Sequence, residues 1–322
     1  MTQTDITTYK LNHTMIRIKE PKRSLDFYQD KLGMKLIGQK AFNESKFSLY
    51  FLGYDQFGAV NQGNSLWDRE GILELTHNHG SENDDEFHVH SGNSEPKGFG
   101  HICISVDNIT AACAKLENAD VKFQKKLDDG RQRDIAFALD PDGYWVESQL
   151  IERSMTNEAR HAKKTDLQSY RFNHTMIRIK DPKVSLPFYQ NVMGMILLRT
   201  SEHANAKFTL YFLGYTQNKK ASATEYEAKL LCSEYEGLLE LTWNWGTETD
   251  TKFEGYNNGN SEPKGFGHLA VAVDEVEAAC ERFEEKGVHF IKKPRDGKMK
   301  NIAFIKDPDS YWIEIVPKNL QL

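Results

Sequence analysis

The chain has 322 residues, of which 39% are hydrophobic and 27% are charged, and its formal net charge is −6. This length suits about two domains, and the composition is that of an ordinary soluble globular protein. The net negative charge gives no reason to expect a nucleic acid or an anionic membrane as a partner.

The expected compartment is the cytoplasm. No apolar run approaches the roughly 20 residues that a membrane helix needs, and the first residues lack the basic and apolar regions of a signal peptide. The four cysteines show no CxxC spacing and do not occupy equivalent places in the repeats described below. We therefore expect free, mostly buried thiols in a reducing compartment.

A long internal repeat organises the chain. The segment Asn12 to Lys19 returns unchanged as Asn173 to Lys180. Other matched segments follow in the same order: Lys46 to Tyr54 with Lys207 to Tyr215, Leu73 to Thr76 with Leu239 to Thr242, Gly92 to His101 with Gly259 to His268, and Asp140 to Trp145 with Asp307 to Trp312. A repeat this long predicts tandem domains rather than a solenoid.

The predicted domains span residues 1–153 and 169–322, joined by the polar, charged segment 154–168, which reads as a linker or a short exposed helix. Extra residues in the second half fall around Lys219 to Lys229, where we expect a surface loop.

Taken in chain order, the elements of the first half form the same pattern twice. The predicted elements are a strand at Leu11–Lys19, a helix at Leu25–Leu32, strands at Met34–Gln39, Ser48–Leu52 and Ile72–Thr76, then a strand at His101–Val106, a helix at Ile109–Asn118, and strands at Lys122–Gln124, Arg133–Leu139 and Tyr144–Gln149. Each set reads βαβββ, so the whole chain should hold four such modules. This α+β pattern argues against a doubly wound parallel sheet.

Strand periodicity brings out unusual polar residues. Period two puts His13, Met15 and Arg17 on one face of the first strand, and it puts Glu74, Thr76 and Asn78 on one face of another. A buried carboxylate among apolar neighbours is costly unless it is paired or metal-bound. His101 and Glu147 belong to two further strands, and the second half repeats the types as His174, Glu240, His268 and Glu314. Two histidines and two glutamates suit a divalent transition metal with open positions.

Four other histidines resemble a metal cluster but lack this repetition. They are His77, His79, His88 and His90, and no histidine lies between Asn244 and His268 in the second half. We expect these four to be loop or surface residues.

Basic residues recur as well. Arg17, Lys97 and Lys125 have the counterparts Arg178, Lys264 and Lys292. Solvated surface cations are the ordinary interpretation of such lysines. Beside a metal, however, fixed cations together with Asn78 or Asn244 would suit a substrate that bears carboxylates.

The motifs resemble those of the glyoxalase I (lactoylglutathione lyase) family, in the fused two-domain form found in fungi. The matching phrases are HTMIRIKEPKRSLDFY, KFSLYFLGY, LELTHN, GNSEPKGFGHICISV and DPDGYW, each with a second copy. The resemblance covers nearly the whole chain. It implies the vicinal oxygen chelate fold, in which four βαβββ modules pair into two open eight-stranded sheets.

The resemblance also implies two metal sites, each shared between the halves, because dimeric relatives build each site from two chains. One site would use His13, Glu74, His268 and Glu314, and the other would use His174, Glu240, His101 and Glu147. Zinc is the favoured metal, two ions per chain, and this ligand set would also accept nickel, cobalt or manganese.

The implied glutathione contacts are Arg17, Asn78, Lys264, Lys292 and Met299 in the first site, and Arg178, Asn244, Lys97 and Lys125 in the second. Lysine stands where many relatives have arginine at Lys97 and Lys264, which replaces a bidentate fork by a point charge. Gln132 stands where the second half has Met299, which predicts that the two sites are not equivalent.

The implied activity isomerises the hemithioacetal of methylglyoxal and glutathione to S-lactoylglutathione through an enediolate, and it detoxifies methylglyoxal. Glu314 or Glu147 would remove the carbon-bound proton, and the same base, or Glu74 or Glu240 opposite, would return one. The chain would act as a monomer with two active sites. The alternatives are an extradiol-type dioxygenase of the same fold and a non-catalytic binding protein on this scaffold.

Overall fold

Sixteen strands form the frame of the described part of the molecule. The computed structural model describes residues 4–56, 59, 61–130, 132–151, 164–215, 219–222, 224–297 and 299–320. The strands of the first half are β1 (Lys10–Ile18), β2 (Lys35–Phe42), β3 (Phe47–Gly53), β4 (Ile72–Asn78), β5 (Phe99–Val106), β6 (Phe123–Lys125), β7 (Ile135–Leu139) and β8 (Trp145–Leu150). Those of the second half are β9 (Arg171–Ile179), β10 (Ile196–His203), β11 (Phe208–Gly214), β12 (Leu238–Asn244), β13 (Phe266–Val273), β14 (Phe290–Lys292), β15 (Ala303–Lys306) and β16 (Trp312–Pro317).

The strands pair into two eight-stranded sheets, and each sheet contains one module from the first half and one module from the second. The first sheet has the order β14-β15-β16-β13-β1-β4-β3-β2, and the second has the order β10-β11-β12-β9-β5-β8-β7-β6. The halves meet where β1 pairs antiparallel with β13, with Met15 opposite His268, and where β5 pairs antiparallel with β9, with His101 opposite Met176. The predicted α+β class with paired βαβββ modules is confirmed.

Five described α-helices accompany the sheets: α1 (Pro21–Asp26), α2 (Ile109–Glu117), α3 (Pro182–Pro187), α4 (Glu225–Glu234) and α5 (Val276–Glu285). The predicted start of the first helix at Leu25 is wrong, because Pro21 occupies the first helical position, where its missing N–H costs nothing. The helix continues as a π-helical turn at Phe27–Lys31, so the predicted end lies within one residue of the observed one.

The expected surface loop near Lys219 is a different structure. It contains α4, whose N-cap Thr224 accepts a hydrogen bond from the backbone N–H of Glu227 through its side chain. Lys219 itself is buried and lies 2.6 Å from the Glu70 carboxylate of the other half. Lys219 therefore helps to join the halves, whereas Lys220, Ala221 and residues 224–227 are exposed, as expected for a surface segment.

Contacts related by the repeat hold the two sheets together. The rings of Phe99 and Phe266 stack with centroids 5.2 Å apart, and the hydroxyls of Thr14 and Thr175 form a hydrogen bond. Gly237 has a positive φ of 62° and leaves no room for a side chain, because an added Cβ would lie 2.7 Å from Cβ of Glu70.

The four cysteines are free and buried, as predicted. None of the described helices has the length and apolar character required to span a membrane. The predicted linker 154–168 lies mostly outside the described residues, which resume at residue 164.

Candidate metal centres and substrate cavities

The first candidate metal centre lies where the two halves share a sheet. His13 on β1 and Glu74 on β4 come from the first half, and His268 on β13 and Glu314 on β16 come from the second. Nε2 of His13 lies 2.9 Å from Oε2 of Glu74, 3.4 Å from Oε2 of Glu314 and 3.2 Å from Nε2 of His268. All four residues are buried, and their ligand atoms lie within 4.8 Å of one another.

These distances fit a metal ion. Two ligand atoms that are each about 2.1 Å from a metal are roughly 3.0 to 3.4 Å apart at octahedral or tetrahedral angles. Three of the separations at His13 are 2.9, 3.2 and 3.4 Å. Two buried carboxylates without a cation would carry a large desolvation cost, so the donor set also favours a positive charge at its centre.

The electrostatics of the first centre point the same way. Burial alone would lower the pKa of His13, but the hydrogen-bonded carboxylates of Glu314 and Glu74 outweigh it and raise the pKa to about 9. Burial works to raise the pKa of Glu314, whereas His13 and His268 lower it to about 2. The cluster therefore stabilises one cation in the space between its carboxylates, whether a proton or a metal.

Neighbouring side chains orient the candidate ligands. Oδ1 of Asn12 lies 2.8 Å from Nδ1 of His13, and the Asn12 amide donates to the carbonyls of Leu66 and Arg69. If Nδ1 carries the proton, Nε2 presents its lone pair to the centre. The hydroxyl of Thr76 donates to Oε1 of Glu74, which leaves Oε2 to face the histidines.

The second centre has the same parts with a looser arrangement. Nε2 of His101 lies 3.1 Å from Oε2 of Glu147 and 3.2 Å from Nε2 of His174. Glu240 lies 3.2 Å from His174, yet only the other three residues form a group within 4.8 Å. Burial opposes the charge of Glu240, but the imidazoles of His174 and His101 lower its pKa.

One neighbour distinguishes the two centres chemically. The Cys103 thiol donates to Oε1 of Glu147 at 3.8 Å, whereas the corresponding residue near Glu314 is Ala270. Burial, together with the adjacent Glu147 charge, raises the pKa of Cys103, so this thiol stays protonated and acts as a donor.

A cavity adjoins each centre. The first has a volume of about 530 Å³ and includes Glu74, His268 and Glu314 in its wall, together with the predicted substrate contacts Arg17, Asn78 and Met299. The second has a volume of about 630 Å³ and includes His101, Glu147 and Glu240, together with Arg178, Asn244 and Gln132. Each wall joins residues from both halves of the chain.

The two arginines brace the other half as well as lining the cavities. Arg17 donates to the carbonyls of Gly259 and Phe266 and, through Nη2, to the side chain of Asn260 at 2.8 Å. Arg178 makes the matching contacts to Gly92, Phe99 and Asn93. Burial lowers the pKa of both guanidinium groups.

The predicted lysine contacts do not line the cavities. Lys97 and Lys264 lie beside Glu95 and Glu262, at 3.3 and 3.2 Å. Lys292 donates to the carbonyls of Met299 and Ile302, and Lys125 makes the same bonds to Gln132 and Ile135. Lys125 and Lys292 therefore brace the loops that carry Gln132 and Met299.

The four other histidines are not a metal cluster. The two groups described above are the ones that the described residues form with metal-ligand spacing. His79 and His88 are exposed, and His90 is half-buried. The expectation of a loop or surface residue was wrong for His77. This residue is buried at the end of β4, and its Nε2 lies 2.7 Å from the Glu82 carboxylate.

Three site residues escaped the sequence analysis. Asn12 was visible inside the repeated segment, but nothing in the pattern gave it a role beside His13. Trp67 and Arg199 line the first and second cavities respectively and have no counterparts of their own type, so repetition could not reveal them.

Comparisons with known proteins agree with this geometry. The family model described as Glyoxalase/Bleomycin resistance protein/Dioxygenase superfamily matches residues 10–148 and 171–315. The chain is 49% identical to a lactoylglutathione lyase of Schizosaccharomyces pombe over 314 residues, which cover 97% of this chain and 98% of that relative. It is 50% identical to a glyoxalase I of Saccharomyces cerevisiae over 320 residues, covering 97% and 94% of the two chains.

A solved structure is similar over the same extent. The crystal structure of glyoxalase I from Zea mays superposes with a TM-score of 0.67 at 25% identity, covering 96% of this chain and 92% of that one. The chain therefore belongs to the glyoxalase superfamily and, within it, to the glyoxalase I, or lactoylglutathione lyase, family. The resemblance noted in the motifs is confirmed, and so is the prediction of a lyase.

Proposed function

We propose that the chain converts the hemithioacetal of methylglyoxal and glutathione to S-lactoylglutathione at two sites. The observation that carries the proposal is that each cavity ends at a buried set of two histidines and two glutamates drawn from both halves. Such a set would hold a divalent transition metal, which supplies positive charge that stabilises anionic oxygens on the substrate.

The reaction moves one proton from a carbon to its neighbour and one proton from the hydroxyl oxygen of the first carbon to the oxygen of the second, and it needs no net oxidation. In the first site, Glu314 is assigned as the base that removes the carbon-bound proton, because its side chain is 11% exposed against 5% for Glu74. Thr76 also holds Glu74 through Oε1. Either Glu314 or Glu74 returns the proton to the adjacent carbon.

In the second site, Glu147 and Glu240 take the corresponding roles. The Glu240 carboxylate accepts from the Thr242 hydroxyl at 3.2 Å, as Glu74 does from Thr76. Cys103 adds a weak donor to Glu147 that the first site lacks.

Glutathione carries two carboxylates, and the proposed contacts supply cations and amides for them. Arg17 and Asn78 line the first cavity with Met299, and Arg178 and Asn244 line the second. Lys264 and Lys292 would attract the substrate at the first site, and Lys97 and Lys125 would do so at the second. Lys292 and Lys125 also act by holding the loops that carry Met299 and Gln132.

Zinc is the proposed metal, with two ions per chain, and methylglyoxal detoxification is the proposed role. A monomer is proposed because one chain supplies all four donors of each site. A cytoplasmic location is proposed, and the four free, buried thiols support it.

The assignment of the bases is tested with Glu314→Gln, Glu147→Gln and the double variant. Each single variant should keep the turnover of the remaining site, and the double variant should lose about 10²-fold or more, because a positioned base contributes that much. S-lactoylglutathione formation is measured, with bound metal determined in each variant as the control. Full turnover by the double variant with its metal retained would contradict the assignment.

A further inference from the structure

The two cavities differ at one matched position beside the metal centres. In the second sheet, Arg199 on β10 pairs with Phe212, and Phe212 pairs with Glu240. In the first sheet, the same two steps lead from Gly38 through Phe51 to Glu74. Two strand spacings are about 10 Å, so this position lies on the cavity wall next to the metal ligands.

Arg199 offers an unused donor in the second cavity. Its guanidinium carbon lies 5.3 Å from the ring centroid of Phe212, which makes an edge contact with His174. Nη2 has one long contact of 3.4 Å, to the Ser201 hydroxyl. Nε is buried and has no hydrogen-bond partner among the described residues. The guanidinium of this half-buried, cavity-lining residue is therefore incompletely satisfied by the described part of the protein, and a ligand that supplies acceptors gains free energy.

The first cavity has an aromatic residue in its wall near its metal centre. Trp67 is buried, and its ring lies 5.4 Å from that of Phe51 and 6.0 Å from that of His13. Trp67 thus packs beside Phe51, and Arg199 packs over Phe212, the counterpart of Phe51 in the other cavity. Apart from Arg17, which donates to the other half, the described cations in this cavity wall are Lys40 and Lys300, and both are exposed, so water screens them.

We propose that Arg199 makes the second site selective for hemithioacetals whose 2-oxoaldehyde part carries an anionic group, while Trp67 makes the first site selective for apolar ones. This inference rests on the proposed function, since it concerns the part of the substrate that extends from the metal centre past Phe212. A half-buried guanidinium that lines a cavity and lies over an aromatic ring binds a carboxylate or a phosphate more strongly than an exposed ammonium does.

Binding is tested with two unreactive thioethers, S-benzylglutathione and S-(4-carboxybenzyl)glutathione, which differ by one carboxylate. Calorimetric titration of the wild type should find one site per chain that prefers the carboxylated ligand. Arg199→Met should weaken that site for the carboxylated ligand by about tenfold or more and leave S-benzylglutathione unchanged. Arg199→Lys should restore part of the preference, and the control Lys40→Met should retain all of it.

Unchanged binding of the carboxylated ligand by Arg199→Met would overturn the proposal, and so would an equal loss in Lys40→Met. Circular dichroism and thermal unfolding of each variant show whether the fold is retained. If Arg199→Met fails to fold, the comparison of Arg199→Lys with the wild type decides, because a lysine cannot reproduce a bidentate contact.

Turnover separates this proposal from the proposed function. Glu314→Gln leaves only the second site active, and Glu147→Gln leaves only the first site active. Turnover of the hemithioacetals of phenylglyoxal and 4-carboxyphenylglyoxal is compared. Glu314→Gln should turn over the carboxylated substrate faster, and Glu147→Gln should turn over the phenylglyoxal substrate faster. The same preference in both variants would overturn the role of Arg199 alone. Failure of both variants, and of the wild type, to turn over the methylglyoxal hemithioacetal would instead overturn the proposed function.

Discussion

Replacing Asn12 by leucine should weaken metal binding at the first centre and spare the second. Asn12 places its Oδ1 2.8 Å from Nδ1 of His13, on the far side of the ring from the other candidate ligands. Leucine has a similar size but accepts no hydrogen bond, so the imidazole loses the contact that sets its tautomer and orientation. Asn173 holds His174 in the same way at 2.7 Å and provides the matched variant.

The expected magnitude follows from the contacts that are lost. Removal of such an orienting partner costs about 10- to 100-fold in metal affinity, or about 1.4 to 2.7 kcal/mol. The Asn12 amide also donates to the carbonyls of Leu66 and Arg69, at 3.0 and 2.9 Å. Buried groups left without partners cost about 1 to 3 kcal/mol each, so the metal-free variant should also unfold at a lower temperature.

The assay is a zinc competition titration against a chelator, with metal per chain measured at each step. Asn12→Leu should release one zinc ion at a lower chelator concentration than the wild type, and the other at the same concentration. Asn173→Leu should weaken binding of the other ion instead. Combining each variant with Glu314→Gln or Glu147→Gln leaves one active site, so the loss of activity identifies the site that has lost its ion. Retention of both ions as in the wild type, or loss of the same ion in both variants, would refute this reasoning.

Three further predictions follow from the structure. Chelation should abolish S-lactoylglutathione formation and zinc should restore it; activity that survives complete metal removal would contradict the proposed centres. Burial, together with the Asp309 charge, raises the pKa of Asp307 to about 8, so the folded state holds a proton that the unfolded state releases near pH 4. Stability should therefore be lost as pH rises from about 4 to 8, by up to about 1.4 kcal/mol per pH unit from this group, and Asp307→Asn should flatten the pH dependence of denaturant unfolding; equal slopes in both proteins would count against it. Lys219→Met should lower the free energy of unfolding by about 3 to 5 kcal/mol, because it leaves the buried Glu70 carboxylate without its partner at 2.6 Å. The exposed pair of Lys22 and Asp26 has the same 2.6 Å distance, and Lys22→Met should change stability little; similar losses in both variants would show that burial is not the cause.

The residue pattern was enough to predict the four modules and the residue types of the candidate ligands. In β1 and β4, strand geometry places residues two apart on the same face, and polar residues such as His13 and Glu74 are buried there. Repetition separated His13 and Glu74, which recur, from His79 and His88, which do not. Helix starts were less accessible, because Pro21 begins α1 before the apolar pattern does.

The way in which these parts combine depends on long-range strand pairing. Pairing of β1 with β13 and of β5 with β9 joins residues far apart in the chain, and no local pattern encodes such a register. The placement of Trp67 in one cavity wall and of Arg199 in the other likewise depends on long-range packing. Long-range packing thus turned one repeated ligand set into two centres with different surroundings, because each cavity wall is assembled from both halves of the chain.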